Sequence, residues 1–200
     1  MPRDETATEK RWRIFCAIEL PPDAQTAVLD HISAIKKDAT DFRATWARET
    51  NLHLTIKFAG NTPEDRVASF SACIARAASA FAPFTIRLEG TGVFPERGAA
   101  RVLWIGVNDE SGNLRGLEAA VEKECEQERF SGEDRAFHPH LTLARVRNPH
   151  DGFALAKIHK TFAFEPITIA VNELQVIRSE LSPQGSKYTT VSRHRLDNTG

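Results

Sequence analysis

The sequence predicts an α+β protein with mainly antiparallel strands, and three observations predict it. Segments of strand character alternate with segments of helical period along the 200 residues. Several neighbouring strands are joined by short turns, which antiparallel pairing permits and parallel pairing does not. No Gly-rich phosphate loop links a strand to a helix, so the doubly wound dinucleotide folds lose their main sequence signal.

Each element has a local reason. Residues 13–20 (RIFCAIEL) are dense in apolar and β-favouring side chains and read as the first strand. Pro21-Pro22-Asp23 breaks it and opens a helix, along which Ala24, Val28, Ile32 and Ile35 recur at helical spacing. Residues 54–59 form a short strand ended by Gly60-Asn61. Thr62-Pro63-Glu64-Asp65 predicts a helix start, with a capping Thr, Pro at the first position and acids in the first turn. Val67, Phe70, Ile74, Ala78 and Phe81 make that helix's buried stripe. Phe84, Ile86 and Leu88 alternate as in a half-buried strand. Gly90-Thr91-Gly92 lacks a following helix and reads as a bend or bulge. Residues 101–107 (RVLWIGV) are apolar on both faces and suit a central strand. A third helix spans 111–128, with Leu114, Leu117, Val121 and Cys125 on one side. A strand at 141–146, a helical turn at 154–159, and strands at 167–177 and 187–196 follow, the last two joined by the turn Ser182-Pro183-Gln184-Gly185.

Composition narrows the function classes. Apolar residues make up 41% and charged residues 26%, enough for one sizeable core. The organisation expected is a flexible leader at 1–12, a single domain at 13–196 and a loose tail at 197–200. Net charge is −1, which argues against coating long nucleic acids by bulk charge and leaves room for a local basic patch. Cys16, Cys73 and Cys125 are odd in number and form no CxxC pair. Reduced thiols in a cytoplasmic protein are expected, and neither a disulfide framework nor a cysteine zinc site. The apolar run at 14–18 is too short for a signal peptide or a membrane span, so no membrane association is expected.

One internal repeat carries chemistry. His53-Leu54-Thr55-Ile56 resembles His140-Leu141-Thr142-Leu143, and the two His are 87 positions apart (140 − 53). Residues i and i+2 of a strand share a face. His53 and Thr55 therefore face one way while Leu54 and Ile56 enter a core, and the second copy repeats the pattern. If two such units pack about a pseudo-twofold axis, a cleft holds two imidazoles and two hydroxyls. That set suits opening of a cyclic phosphodiester. One neutral His takes the proton of the attacking water, one protonated His supplies the leaving oxygen, and the Thr hydroxyls bond the phosphate oxygens. Neither a metal nor another cofactor is needed. With reference pKa values near 6.5, the optimum would fall near neutrality.

The competing readings are specific. A single His-x-Thr on a strand is common and usually means nothing; the duplication is what gives it weight. His138-Pro139-His140 places two candidate metal ligands on one face, with His53 or His150 as a third, but carboxylates at ligand spacing are missing around them. His31, His159 and His194 are read as solvated surface residues. Ser179 and Ser182 lack the elbow of a hydrolase nucleophile. Lys57 shares the cleft-side parity of His53 and Thr55 and is a candidate substrate contact. Arg145, five residues after His140, and Phe58, five after His53, have the opposite parity, and only a bulge or strand end would return them to the cleft. Arg145 is a candidate phosphate contact on that condition. Phe94, before Pro95 on a loop, is a candidate base-stacking residue.

At these residues the sequence resembles the 2H phosphoesterase superfamily, and within it the bacterial and archaeal RNA 2′,3′-cyclic phosphodiesterases, historically called 2′-5′ RNA ligases. The resemblance runs from Arg13 to about Leu196. It is carried by RIFCAIELP, by W-x-x-x-x-N-L-H-L-T-I-K-F from Trp46 to Phe58, by G-V-F-P at Gly92 to Pro95, by R-V-L-W-I-G-V, by F-H-P-H-L-T-L-A-R from Phe137 to Arg145, and by S-x-L-S-P-x-G-x-x-Y from Ser179 to Tyr188. Departures are Ala59, where Leu is usual, and Arg178, where an aromatic is more usual. The resemblance implies a bilobal fold of two pseudo-symmetric sheets with helices outside and a central cleft. It implies His53, Thr55, His140 and Thr142 as the catalytic set, with His140 taking the water proton and His53 protonating the leaving oxygen. It implies hydrolysis of RNA ends or nucleotides bearing a 2′,3′-cyclic phosphate to a 2′-phosphate, and allows the reverse 2′-5′ joining. A monomer is expected. Small cyclic nucleotides or 2′-5′ oligoadenylates as substrates, and a non-catalytic RNA-end binding module, are the alternatives.

Overall fold

A computed structural model describes residues 10–132, 136–182 and 185–197. Strand β1 (Arg11–Glu19) starts two residues before the predicted position and is followed by helix α1 (Pro22–Asp38), whose second Pro sits in the first turn. A two-residue strand β2 (Thr45–Trp46), too short to read from sequence, precedes a turn of 3₁₀ helix (Glu49–Asn51). Strand β3 (His53–Pro63) runs through Gly60 and swallows the predicted helix start. Helix α2 (Val67–Ser79) begins only after a 3₁₀ turn (Glu64–Arg66). Strands β4 (Phe84–Phe94) and β5 (Val102–Asn108), helix α3 (Asn113–Gln127), strand β6 (His140–Arg145) and helix α4 (Pro149–Thr161) follow. Gly90 is the extra residue of a bulge inside β4: Glu89 opposes Gly106, Thr91 opposes Ile105, and Gly90 lies between them at φ +69.

The predicted strand 167–177 is two strands in two sheets. Strand β7 (Ile167–Val171) buries Ile169 and Val171, whereas β8 (Glu173–Ser182) buries Leu174 and Val176. The inward parity changes at Asn172, where the chain crosses from one sheet to the other. Strand β9 (Gly185–Arg195) returns along β8. Pro183 and Gln184 of the predicted turn lie outside the described residues, as do 1–9 of the leader and 198–200 of the tail.

The strands form a four-stranded sheet in the order β3-β1-β8-β9 and a five-stranded sheet in the order β2-β6-β5-β4-β7, with every pair antiparallel. Helix α2 packs on β1, β3, β8 and β9, and α3 packs on α2 and β3; α4 packs on β4, and α1 on α4. The core is continuous between the lobes, from Ile14, Leu54 and Phe70 to Leu103, Leu141 and Leu155. A smaller apolar cluster of Phe15, Ala17 and Ile177, backed by Tyr188, sits on the opposite face of the four-stranded sheet. Among the described residues no helix is long and apolar enough to cross a membrane.

Candidate active site

Strand β2 brings the two His-x-Thr strands together. It pairs with β6, Thr45 opposite Arg145 and Trp46 opposite Ala144, and the Ala47 N–H extends the pairing to the Leu143 carbonyl at 2.8 Å. Beyond the 3₁₀ turn the same chain becomes β3, in the other sheet. Strands β3 and β6 thus come within an 8 Å Cα separation of each other across the two lobes.

Both strands carry a bulge at the same place, and it decides which side chains reach the cleft. In β3, Thr55 opposes Ala17 and Lys57 opposes Cys16, so Ile56 is the extra residue. In β6, Thr142 opposes Trp104 and Ala144 opposes Leu103, so Leu143 is the extra residue. A bulge resets the two-residue alternation. Thr55 and Thr142 stay half-buried beside their histidines, Ile56 and Leu143 are buried, and so are Lys57 and Ala144. Phe58 and Arg145 are exposed and return to the histidine side. The parity objection to both residues is removed.

The same bulge corrects the reading of Lys57. Strict alternation aims it into the cleft; the structure buries its side chain completely against α3. Its ammonium donates to both Glu122 carboxylate oxygens at 2.8 Å and to the Ser131 carbonyl at 2.7 Å. It is a buried tie between β3 and α3, not a substrate contact. Phe94 is corrected in a smaller way: it ends β4 instead of lying on a loop, and its ring stands edge-on to His140.

Each imidazole is held from two directions. The His53 ring lies 4.8 Å from Phe15 and 5.2 Å from Tyr188 and bonds the backbone of Asn51. The His140 ring lies 5.0 Å from Phe94 and 6.5 Å from Trp104, and its Nδ1–H donates to the His138 carbonyl at 2.8 Å. A carbonyl can only accept, so the neutral His140 ring carries its proton on Nδ1 and offers the Nε2 lone pair. Gly92 makes the aromatic support possible: a Cβ there would fall 2.1 Å from the Trp104 ring.

Burial is the main cause of low proton affinity at both histidines. It pushes His53 down to about 4, helped by the positive charge of Arg145 and partly opposed by the Asn51 bond. It lowers His140 as well, again with Arg145 contributing. One guanidinium is thus felt by both rings. Burial thus favours the neutral form of both imidazoles in the free protein, which moves the expected optimum from neutrality toward the acid side.

Sequence reasoning missed Phe15, Tyr188 and Trp104 as supports of the site. It also misplaced three histidines as solvated. His159 is fully buried and His31 nearly so, with rings 6.0 Å apart between α4 and α1, and the His159 Nε2 bonds the Trp104 carbonyl at 3.1 Å. His194 is half-buried and bonds Ser71 and Ser192. His138 and His150 join no group of three or more His, Cys, Asp or Glu placed to hold a metal among the described residues.

Comparison with known proteins agrees with this architecture. Residues 20–183 match the model of the 2′-5′ RNA ligase superfamily. The chain is 35% identical over 191 residues to the RNA 2′,3′-cyclic phosphodiesterase of Thermus thermophilus, covering 92% of this chain and 90% of that one. It is 31% identical over 187 residues to the protein of the same name from Methanothermobacter thermautotrophicus, covering 92% and 98%. Among solved structures, TT0787 of Thermus thermophilus superimposes with a TM-score of 0.71 at 32% identity, over 92% of this chain and 97% of that one. LigT of E. coli, at 22% identity and a TM-score of 0.72 over 93% and 98%, shares the fold.

Proposed function

Because this chain belongs to the 2′-5′ RNA ligase superfamily, we propose that it hydrolyses 2′,3′-cyclic phosphate ends of RNA to 2′-phosphates without a metal. The observation that carries this reading is the convergence of both His-x-Thr strands on one cleft, with the charge of Arg145 felt by both imidazoles.

In this reading the cyclic phosphate sits between the two strands. The His140 Nε2 removes a proton from water as its oxygen bonds to phosphorus. The P–O3′ bond breaks, and protonated His53 gives its proton to O3′. Charge gathering on the non-bridging oxygens is met by Arg145 and the hydroxyls of Thr55 and Thr142. Proton exchange with solvent resets the pair. With a 5′-hydroxyl in place of the water, the same groups bond its oxygen to phosphorus as O3′ leaves and takes a proton, which is 2′-5′ joining.

Assigning the acid to His53 requires the substrate to raise its proton affinity. A bound phosphate anion does so by offsetting Arg145. Free of substrate, both groups lie below 6.5, and the two limbs of the kcat/KM profile belong to the coupled pair. Phe94 and Phe58 flank the cleft as surfaces on which a base can stack. Three buried free thiols suit a reducing compartment, and we place the protein in the cytoplasm as a monomer.

The test is turnover in EDTA on three substrates: an RNA ending in a 2′,3′-cyclic phosphate, a free nucleoside 2′,3′-cyclic phosphate, and a 2′-5′-linked oligoadenylate. The expected result is turnover of the first with a 2′-phosphate product. Turnover confined to the third would move the substrate class. Binding without turnover of any would make the chain an RNA-end binding module. Loss of activity in EDTA with rescue by Zn²⁺ would overturn the metal-free mechanism.

A further inference from the structure

Strand β6, which carries His140 and Thr142, ends at Arg145, and Arg147 stands two residues past that end. Across the pairing, Arg43 stands two residues before the start of β2 at Thr45, the partner of Arg145. Arg43, Thr45, Arg145, Arg147, Asn148 and Asp151 line one pocket at this end of the five-stranded sheet. All three arginines are exposed, and among the described residues none of their guanidinium groups has a hydrogen-bond or ion-pair partner. The acid in the pocket is already engaged. Asp151 is buried, its Oδ2 accepts the main-chain N–H of Arg43 at 3.2 Å, and its Oδ1 faces the His150 ring at 3.5 Å.

Three unpaired guanidiniums crowded into one concavity repel one another unless an anion joins them. Guanidinium forks are matched to phosphate oxygens. Arg147 is two residues beyond Arg145, at most about 7 Å along the chain, a reach comparable to the step between neighbouring phosphates of an extended single strand. In a chain of net charge −1 this patch is a local feature, not a consequence of overall basicity.

We propose that the Arg43–Arg147 pocket binds the phosphodiester on the 5′ side of the reactive terminal nucleotide, so that the site is built for an oligonucleotide end and not for a free nucleotide. The inference rests on the function proposed above. Arg145 serves the reacting phosphate; Arg43 and Arg147 hold the next one. A terminal nucleotide linked to a second residue engages the pocket, and a nucleoside cyclic phosphate does not reach it.

The experiment compares Arg43→Gln, Arg147→Gln and the wild type on adenosine 2′,3′-cyclic phosphate and on a tetranucleotide with the same cyclic end. A second arm measures binding of a labelled, non-cyclised tetranucleotide by anisotropy across a salt series, with inorganic phosphate as competitor. The expected result is that each substitution lowers kcat/KM on the tetranucleotide about tenfold through KM and leaves the mononucleotide rate within about twofold. Each should also reduce the log–log salt slope of tetranucleotide binding by about 0.7. Equal losses on both substrates, or no loss on the tetranucleotide, would overturn the pocket's role. Displacement of the tetranucleotide by inorganic phosphate at equal concentration would make it a simple phosphate site. If the wild type turned over neither substrate, the proposed function would fail, while the binding arm would still decide whether these arginines hold RNA.

Discussion

Strands β3 and β6 are built alike up to the bulge and differ just beyond it. Each starts with a His bonded to backbone two residues earlier, Asn51 in one and His138 in the other. Each ring is backed by two aromatic side chains. Each strand has its Thr at the third position and its bulge at the fourth. The residue the bulge turns back to the cleft is Phe58 in one lobe and Arg145 in the other. In the proposed mechanism proton transfer is thus duplicated, because hydrolysis needs an acid and a base, and anion handling is not, because one phosphate must be charge-balanced once. The duplicated residues should therefore be needed together, and the residues that differ should separate phosphate binding from base contact.

Removing either imidazole should have the largest effect. His53→Ala and His140→Ala should each lower turnover about 10²–10⁴-fold, and the double variant should fall well short of the product, because the two act as a unit. Near-normal turnover in either single variant would break the symmetry claimed for the two strands. Arg145→Gln should cost about 10²–10³-fold, the range for one preorganised charge partner of a transition state. It should also raise the proton affinity of both histidines, since Arg145 contributes to lowering each. The acid limb of the kcat/KM profile should then move up in pH, by a shift readable in a pH series and by NMR titration of the imidazoles. Thr55→Ala and Thr142→Ala should each cost about 10–100-fold and by similar factors, as lost hydrogen bonds to the phosphate. The least effect on turnover is expected at the position that follows each bulge inward. Glu122→Gln leaves the Lys57 ammonium buried without its counter-charge. It should destabilise the fold by about 3–5 kcal/mol in denaturant melts while turnover per folded molecule stays within a few-fold. A large loss of kcat without loss of stability would return Lys57 to the site.

What the sequence shows of this site and what it hides have separate physical causes. The alternation His-Leu-Thr-aliphatic is local, so His53, Thr55, His140 and Thr142 are legible as polar residues backed by core residues. The bulges at Ile56 and Leu143 are set by the neighbouring strands β1 and β5. Neither carries a glycine to mark it, and period-two reasoning therefore sends Lys57 to the cleft and Arg145 away from it. The aromatic supports are hidden for a related reason. Phe15, Trp104 and Tyr188 stand in runs that look like ordinary strand core, and only the pairing of strands brings them to the histidines. The fold class follows from short turns and alternating elements. The division of residues 167–177 between two sheets rests on a one-residue change of parity at Asn172, too small to separate from a continuous strand by hydrophobicity. His159 illustrates the limit for helices: the predicted turn at 154–159 is part of the longer α4, and that helix carries the ring into the core.

The division of labour between the two imidazoles is tested most directly with a cyclic phosphodiester whose leaving group is activated and needs no protonation. Turnover of that substrate is compared with turnover of a ribose cyclic phosphate in His53→Ala and His140→Ala. The mechanism predicts that the activated substrate restores turnover by about 10²-fold or more in His53→Ala, which lacks the acid, and not in His140→Ala, which lacks the base. Restoration in His140→Ala alone would reverse the two roles. Failure to restore either variant would contradict acid–base catalysis by the two histidines.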